Sequence, residues 1–368
     1  MDRALIKQRA KAVRRRIKDK KLDGLIVTGV ENVRYLTGFR GHDSWALVLP
    51  RSVVLITDSR YTEQAHTECL NCRIIERTGP LSKTLDAVMA AHKSVATLGL
   101  EDSSPIATLN RLRKTLSVRI KPVSGVVEQT RQIKTDEEIR LIKRAGKIAF
   151  DAMDWALSQL EVGITECQIA ALYDYRLNAC GASPGFETIV AFGPNGSRNH
   201  HQPGSRRLRK NDTVLVDFGA IHDGYTSDTT RCFAVGKPSD YYCRVYQTVA
   251  RAQEIAIDTI AAGVKGWQVD AAARRVIREA GFEVYGHGTG HGLGLQVHEL
   301  PTLAGADKKT TLQSGQVVTI EPGIYLPGRF GVRLEDDILV TDNGAKILSR
   351  DKRFDIDKDI IPIYLAKP

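Results

Sequence analysis

Two acidic pairs stand at matching places in the second half of the chain. Asp217 follows an apolar, strand-like run, and Glu321 follows another such run 104 residues later. In each case a second carboxylate comes shortly afterwards, Asp228 after 11 residues and Glu335 after 14. A strand that turns and returns can bring two such side chains together across the hairpin, because successive side chains alternate between faces. The spacing therefore predicts two carboxylate pairs, one in each of two related halves.

Four carboxylates in apolar surroundings are costly without positive charge nearby. Burial and mutual repulsion both raise carboxyl pKa values, so some of the four would stay protonated and the set would titrate together. Two divalent cations would remove this cost. Any one of these acids alone is more simply a turn residue or an ion-pair partner, but the symmetric set of four favours a two-metal site.

A segment rich in glycine and histidine, HGTGHGLGLQVHE over residues 287–299, follows the first acidic pair. Glycines let backbone approach a bound group closely. No Lys-Ser or Lys-Thr follows, which disfavours a nucleotide-binding loop. We expect the fifth ligand to come from this segment. Four carboxylates and one imidazole suit Mn²⁺, with Co²⁺ or Zn²⁺ as alternatives, and two such ions about 3.5–4 Å apart can activate water and polarise a carbonyl for amide hydrolysis.

The elements that must position these residues occur twice in the same order. A capping-box pattern at Thr135 and Glu138 marks the start of the first copy. Two helices and a strand precede Asp217, and two helices and a strand precede Glu321. This duplicated helix–helix–strand–hairpin unit predicts two halves about a pseudo-twofold axis, with the carboxylates converging at its centre. Helical periodicity places the four helices over 135–160, 166–179, 241–262 and 268–280.

The first 130 residues alternate helix and strand signals instead. Such alternation is typical of an α/β domain with a covered sheet. We therefore predict an α+β protein with an α/β domain over 1–130 and a duplicated catalytic domain over 131–368. The predicted helices of the first domain are 3–21 and one beginning at Tyr61, and its predicted strands are 25–27, 45–49 and 53–56.

The composition is typical of a globular protein, with 42% apolar and 26% charged residues among 368. The sequence has no run of 18 apolar residues and no apolar leader, so we expect no membrane span, no secretion and a cytoplasmic location. The net charge of +10 is spread out except at 14–16 and 206–210, and without a nucleic-acid motif these clusters indicate solvated faces. Cys69 and Cys72 form a single CxxC, which predicts free thiols rather than a zinc site.

The motifs resemble those of the creatinase/aminopeptidase P/prolidase family, the pita-bread metallopeptidases, in order and spacing. The resemblance covers nearly the whole chain and implies a creatinase-like N-terminal domain before a pita-bread catalytic domain. Its motifs are NVRYLTGF and ITDSRY in the first domain and VDFGA, DGYTSDTTR, GTGHGLGLQVHE, TIEPGIY and GVRLEDD in the second.

The resemblance also implies roles for the ligands. Asp217 and Asp228 look like ligands of one metal, and His291 and Glu321 look like ligands of the other. Glu335 resembles the second bridging carboxylate, so that it and Asp228 would contact both ions. Glu321 resembles the family's proton acceptor.

Three further residues match family positions. His298 resembles the histidine that binds substrate and stabilises the tetrahedral intermediate, and His200 resembles another active-site histidine. The family has Pro-His where this chain has Asn199 before His200, and the neighbouring His201 is a weaker candidate. Arg333 resembles a partner of the metal-binding acids.

The choice of family member depends on few residues. Creatinase lacks the metal ligands, and methionine aminopeptidases usually lack the N-terminal domain. Some related prolidases carry an arginine four residues after the His298 position, where it can hold a dipeptide's carboxylate, but this chain has Thr302. The resemblance therefore implies an Xaa-Pro aminopeptidase acting on proline-containing peptides, with prolidase as the alternative and a homodimer as the expected assembly. A non-catalytic binding protein of the same fold is disfavoured because all five ligands are present.

Overall fold

The computed structural model describes residues 3–351 and the backbone of 361–363. The chain separates into two compact units, one ending at Arg131 and the other beginning at Gln132. The predicted boundary falls one residue earlier. Among the described residues, no helix combines the length and the apolar character needed to cross a bilayer.

The first unit is a six-stranded mixed sheet with helices between its strands. Its elements are α1 Arg3–Asp19, β1 Gly24–Val27, α2 Val30–Thr37, β2 Trp45–Val48, β3 Val53–Thr57, α3 Thr62–Glu68, β4 Arg73–Glu76, α4 Leu81–Ala90, β5 Thr97–Glu101, α5 Ile106–Thr115, β6 Arg119–Val123 and α6 Glu128–Arg131. The strand order is β4-β3-β2-β1-β5-β6. Antiparallel pairing joins β1 to β2 and β2 to β3, and parallel pairing joins the rest. The three predicted strands coincide with β1, β2 and β3.

The second unit contains four long helices and the strands that follow β6. Its helices are α7 Asp136–Leu157, α8 Glu166–Ala179, α9 Asp240–Asp258 and α10 Gly266–Glu279, with a 3₁₀ turn at Gly193–Ser197. Thr135 caps α7 in the predicted capping box with Glu138, and Ser239 caps α9 at the equivalent position 104 residues later. The capping residues of these two helices are therefore separated by the same number of positions as Asp217 and Glu321.

The strands of the second unit repeat in the same way. They are β7 Ser183–Pro184, β8 Ile189–Phe192, β9 Thr213–Phe218, β10 Ala220–His222, β11 Tyr225–Thr226, β12 Thr229–Val235, β13 Gly290–Gly292, β14 Glu299–Leu303, β15 Val317–Ile320, β16 Gly323–Leu326, β17 Phe330–Arg333, β18 Asp336–Thr341, β19 Gly344–Ile347 and β20 Ile361–Ile363. One sheet contains β8, β9 and β12 as antiparallel neighbours, and another contains β13, β15 and β18. Two helices and a three-stranded antiparallel sheet therefore occur twice.

Each half packs its helices on its own sheet. Phe150, Tyr173 and Val216 belong to one buried cluster, which the first half forms. Val249 and Val318 belong to another, which also includes Leu215 from the first half. The central strands β9 and β15 are almost entirely buried. Apolar burial of this kind stabilises the strands at about 25 cal/mol per Å² and so fixes the positions of the acids at their ends.

Candidate metal centre

Five strands determine where the predicted ligands lie. Asp217 is the penultimate residue of β9, and Glu321 directly follows β15. Asp228 directly precedes β12, and Glu335 directly precedes β18, the strands that return beside β9 and β15. His291 is the middle residue of β13, the other neighbour of β15. Strand pairing therefore brings together the ligands within each half, and a hydrogen bond from the backbone N–H of Glu335 to the backbone oxygen of Thr230 joins the two halves.

His291 lies close to three of the four carboxylates. His291 Nε2 lies 3.7 Å from Asp228 Oδ2 and 3.6 Å from Glu321 Oε1. Asp228, His291 and Glu335 each offer a donor atom, and these three atoms lie within 4.8 Å of one another. Metal ions such as Zn²⁺ bind oxygen and nitrogen donors at about 2.0–2.2 Å, so atoms with these separations can share an ion.

The carboxylate of Asp217 has one oxygen that is hydrogen-bonded and one that is not. Its Oδ2 accepts a hydrogen bond from Arg333 Nη2 at 2.5 Å. Its Oδ1 is buried and, within the part of the chain that the structure describes, has no hydrogen-bond partner. Leaving a buried carboxylate oxygen unpaired is costly. A cation bound at this oxygen would supply the missing partner.

The electrostatics of the cluster also fit divalent cations. Burial, followed by repulsion from neighbouring acids, raises the pKa values of Asp228 and Glu335 well above the usual range. Burial also raises the pKa of Glu321 to about 7 and lowers the pKa of His291 to about 4. Without metal, these carboxyl groups therefore retain protons that cations could replace, while the imidazole stays neutral and able to bind one. An oxygen-rich donor set with a single imidazole suits a hard or borderline ion such as Mn²⁺.

Arg333 links the acids to the surrounding structure. It is 4% exposed, and besides Asp217 it donates to Thr230 Oγ1 at 3.1 Å and to Tyr325 OH at 3.2 Å. Thr230 in turn donates to Glu335 Oε2 at 2.6 Å. The guanidinium and one hydroxyl thus orient two carboxylates of the cluster. Thr230 and Tyr325 were not predicted, although both belong to the motifs that carry the acids.

The predicted histidines lie on the wall of the cavity that contains the acidic cluster, each in a different place. The ring of His298 lies edge-on to that of His291, with centroids 4.3 Å apart, and burial lowers its pKa. His200 lies exposed on the wall of the cavity. His201, the weaker candidate, also lines the cavity, but its Nε2 lies 2.8 Å from Glu166 Oε2.

His287 was not among the predicted site residues, although it begins the segment from which the fifth ligand was expected. Its Nε2 lies 3.0 Å from Tyr325 OH, and its Nδ1 lies 3.9 Å from Glu321 Oε2. Its ring stacks on Tyr285 at 4.7 Å between centroids. Burial lowers its pKa to about 4, so it faces the cluster as a neutral imidazole. Its position four residues before His291, within the same glycine-rich motif, was the available signal.

One cavity of about 610 Å³ brings the predicted residues together. This volume is within the range of small-molecule sites. Apolar side chains line the cavity beside the charged ones, including Phe186 and Val297. All eight predicted residues contribute to its wall: His200, Asp217, Asp228, His291, His298, Glu321, Arg333 and Glu335.

Family models match both units of the chain. The model of metallopeptidase family M24 matches residues 140–342, and that of the creatinase/prolidase N-terminal domain matches residues 9–133. The chain therefore belongs to metallopeptidase family M24, in the branch with a creatinase-type N-terminal domain. This finding confirms the predicted family and the predicted α+β fold.

Individual relatives are similar over nearly their whole length. A solved structure described as an Xaa-Pro dipeptidase from Bacillus anthracis matches with a TM-score of 0.92 at 34% identity, covering 97% of this chain and 100% of that one. A solved X-Pro aminopeptidase from Thermotoga maritima matches with a TM-score of 0.85 at 34% identity, covering 92% and 98%. A protein named Xaa-Pro dipeptidase in Pyrococcus horikoshii is 34% identical over 337 residues, 90% of this chain and 94% of that protein.

Proposed function

We propose that this protein is an Xaa-Pro aminopeptidase, which hydrolyses the N-terminal peptide bond that precedes proline. The names of all three relatives refer to Xaa-Pro substrates. The cavity that contains the acids is large enough for a peptide terminus, and its wall combines apolar and polar side chains. Membership of a metallopeptidase family and the converging donor set support hydrolysis assisted by bound metal.

The proposed centre holds two divalent cations, with Mn²⁺ as the expected ion. Asp217 and Asp228 would hold one cation, His291 and Glu321 would hold the other, and Asp228 and Glu335 would contact both. When bound, the two ions supply water activation and carbonyl polarisation. The unpaired Oδ1 of Asp217 and the proton-retaining carboxyl groups support this assignment.

Glu321 is the proposed proton acceptor for the attacking water. Its side chain is 18% exposed, compared with 13% for Asp217 and 7% for Asp228, so it is the most accessible of these three carboxylates from the cavity. A carboxylate that faces bound water can accept its proton and later return it to the leaving amine.

His298 and His200 are the proposed substrate-binding groups. Each lines the cavity without being part of the acidic cluster. An imidazole that donates to the substrate carbonyl oxygen stabilises the negative charge that develops there during hydrolysis. His298 lies directly beside the proposed ligand His291.

The charge of the cavity wall favours the aminopeptidase over the dipeptidase. An Xaa-Pro dipeptide has a carboxylate directly after proline, and its binding calls for a fixed cation. Among the described residues that line the cavity, Arg333 is the only arginine or lysine, and its guanidinium already pairs with Asp217. At Thr302 the wall offers a hydroxyl where some prolidases have an arginine. Longer peptides carry no charge at that place and would be accommodated.

An Xaa-Pro dipeptidase is the second candidate. It is favoured by the names of two of the three relatives, including the one with the TM-score of 0.92. In that case His200 or His298 would have to bind the dipeptide carboxylate, since both lie in the same cavity.

Peptide assays separate the two candidates. The protein would be treated with a chelator, reloaded with Mn²⁺, and incubated with Ala-Pro, with Ala-Pro-Ala-Ala and with the proline-free control Ala-Ala-Ala-Ala. We expect release of the first alanine from the proline tetrapeptide alone. Cleavage confined to Ala-Pro would establish the dipeptidase instead. If no peptide is cleaved and elemental analysis finds no retained metal, a non-catalytic binding protein becomes the better explanation.

A further inference from the structure

A buried carboxylate outside the metal cluster fastens the loop that carries His200. Glu166 is the first residue of α8, directly after the capping residue Thr165. Its side chain is 0% exposed. A carboxylate buried in this way requires hydrogen-bond donors for its lone pairs. No family role was predicted for Glu166, and it does not line the cavity.

Four donors meet the two oxygens of Glu166. Oε1 accepts from the backbone N–H of Phe192 at 2.8 Å and from Asn195 Nδ2 at 2.8 Å. Oε2 accepts from the backbone N–H of Gly204 at 3.1 Å and lies 2.8 Å from His201 Nε2. These partners span residues 192–204, hereafter the His200 loop. One side chain therefore holds the loop near its beginning and at its end.

The second half of the fold holds the other side of the same loop. Arg333 Nη1 donates to the backbone oxygen of Asn199 at 3.2 Å. Gly196 packs so closely on Gly331 that an added Cβ would lie 3.2 Å from the backbone nitrogen of Gly331. The His200 loop is therefore fixed between Glu166 and the strand that carries Arg333.

The ring of His200 depends on this backbone for its position. Within residues 3–351 the ring makes no hydrogen bond or ion pair, and the side chain is exposed in the cavity. Its direct neighbours Asn199 and His201 are the residues that are held. A shift of the loop would therefore move the imidazole without a hydrogen bond or ion pair of its own to resist it.

We propose that Glu166 is a positioning residue for His200, which it acts on through the His200 loop. This inference rests on the proposed peptidase function for its effect on turnover. Both oxygens must accept hydrogen bonds for the loop to be held. A Glu166→Gln variant keeps the shape of the side chain but turns one acceptor into an N–H donor, which would face the N–H of Gly204 or Phe192.

A double-mutant cycle tests the proposal in the Mn²⁺-loaded enzyme with Ala-Pro-Ala-Ala. We expect Glu166→Gln to lower kcat/KM by about tenfold, since a displaced catalytic group and an unsatisfied buried donor have effects of this order. In a His200→Ala background the same change should cost less than about twofold, because the group that it positions is gone. Glu161→Gln, the same substitution at an exposed glutamate five residues earlier, is the matched control and should leave kcat/KM unchanged.

Equal losses in both backgrounds would overturn the proposal, since Glu166 would then act on the fold as a whole. Metal content, measured on the same samples, should be unaltered by Glu166→Gln. If Glu166→Gln fails to fold, Asn195→Ala removes one of the four donors and should give a smaller loss with the same dependence on His200.

Hydrogen exchange supplies a measurement that does not require activity. Exchange in residues 192–204 should accelerate in Glu166→Gln relative to the wild type and Glu161→Gln, while the segments containing β9 and β15 stay unchanged. Unaltered exchange in the His200 loop would refute the positioning role. If the wild-type protein cleaves no peptide, the proposed function is wrong, and this measurement still decides whether Glu166 holds the loop.

Discussion

Thr302→Arg should convert the cavity into one that accepts dipeptides. Thr302 in β14 pairs with His291 in β13. Residues directly opposite in an antiparallel pair point to the same face of the sheet, so a longer side chain at this position enters the cavity that His291 faces. Thr302 is half-buried and already lines that cavity.

The size of the effect follows from the new charge pair. A hydrogen bond between charged groups contributes about 1.5–3 kcal/mol. At about 1.4 kcal/mol per tenfold change, kcat/KM for Ala-Pro should rise by about 10- to 100-fold. The tetrapeptide Ala-Pro-Ala-Ala has a neutral peptide group at the same place, so its kcat/KM should stay level or fall. The measured quantity is the ratio of kcat/KM for Ala-Pro to kcat/KM for Ala-Pro-Ala-Ala, determined at saturating Mn²⁺.

A length-matched control separates charge from bulk. Thr302→Met introduces an unbranched side chain without a charge and should not raise dipeptide cleavage. An unchanged ratio in Thr302→Arg, or an equal rise in Thr302→Met, would show that charge at this position does not determine dipeptide binding. A wild-type protein that already prefers Ala-Pro would show that another group binds the carboxylate.

Three further predictions concern the metal centre. Asp228→Asn should abolish loading of at least one metal and reduce turnover severely, and near-normal turnover with full metal content would contradict its shared position. His298→Ala should keep its metal by elemental analysis while kcat falls by about 10- to 1,000-fold, as for loss of one oxyanion-stabilising donor. Above about pH 7.5, His287, His291 and His298 are neutral whether the chain is folded or unfolded. In that range the metal-free protein should lose stability as pH rises, because the raised pKa values of Asp228 and Glu335 keep protons on the folded state. Each proton retained only by the folded state lowers the free energy of unfolding by about 1.4 kcal/mol per pH unit. Thermal melts with and without Mn²⁺ should show this loss of stability in the metal-free sample alone.

The repeat made much of the second unit predictable from the sequence. Apolar runs that end in Asp217 and Glu321 could be located because buried central strands are continuously apolar and have acids at matching ends. The capping box at Thr135 marked the start of α7 within a residue. In the first unit, β5 was missed, since its five residues include Gly99 and a buried Glu101. Such a strand has little local signal and forms because β1 and β6 pair with it on either side.

The groups that support the site were harder to predict than the acids themselves. Thr230 and Tyr325 contact the cluster through Glu335 and Arg333, across separations of up to 105 residues. Glu166 holds residues 26 to 38 positions away. A hydroxyl or a buried glutamate has no distinctive spacing, so only its partners in space give it a role.

The sequence by itself determined the kind of donors, their duplication and the family resemblance, because residue type and spacing are properties of the chain. Tertiary structure decided which donors meet. His291 comes within 3.7 Å of Asp228 because the sheets of the two halves meet. At this junction the backbone N–H of Asp228 donates to Asp337 Oδ2. It also decided how the carboxyl groups titrate, since burial and the proximity of other acids arise only when the two halves bring their strand ends to one cavity.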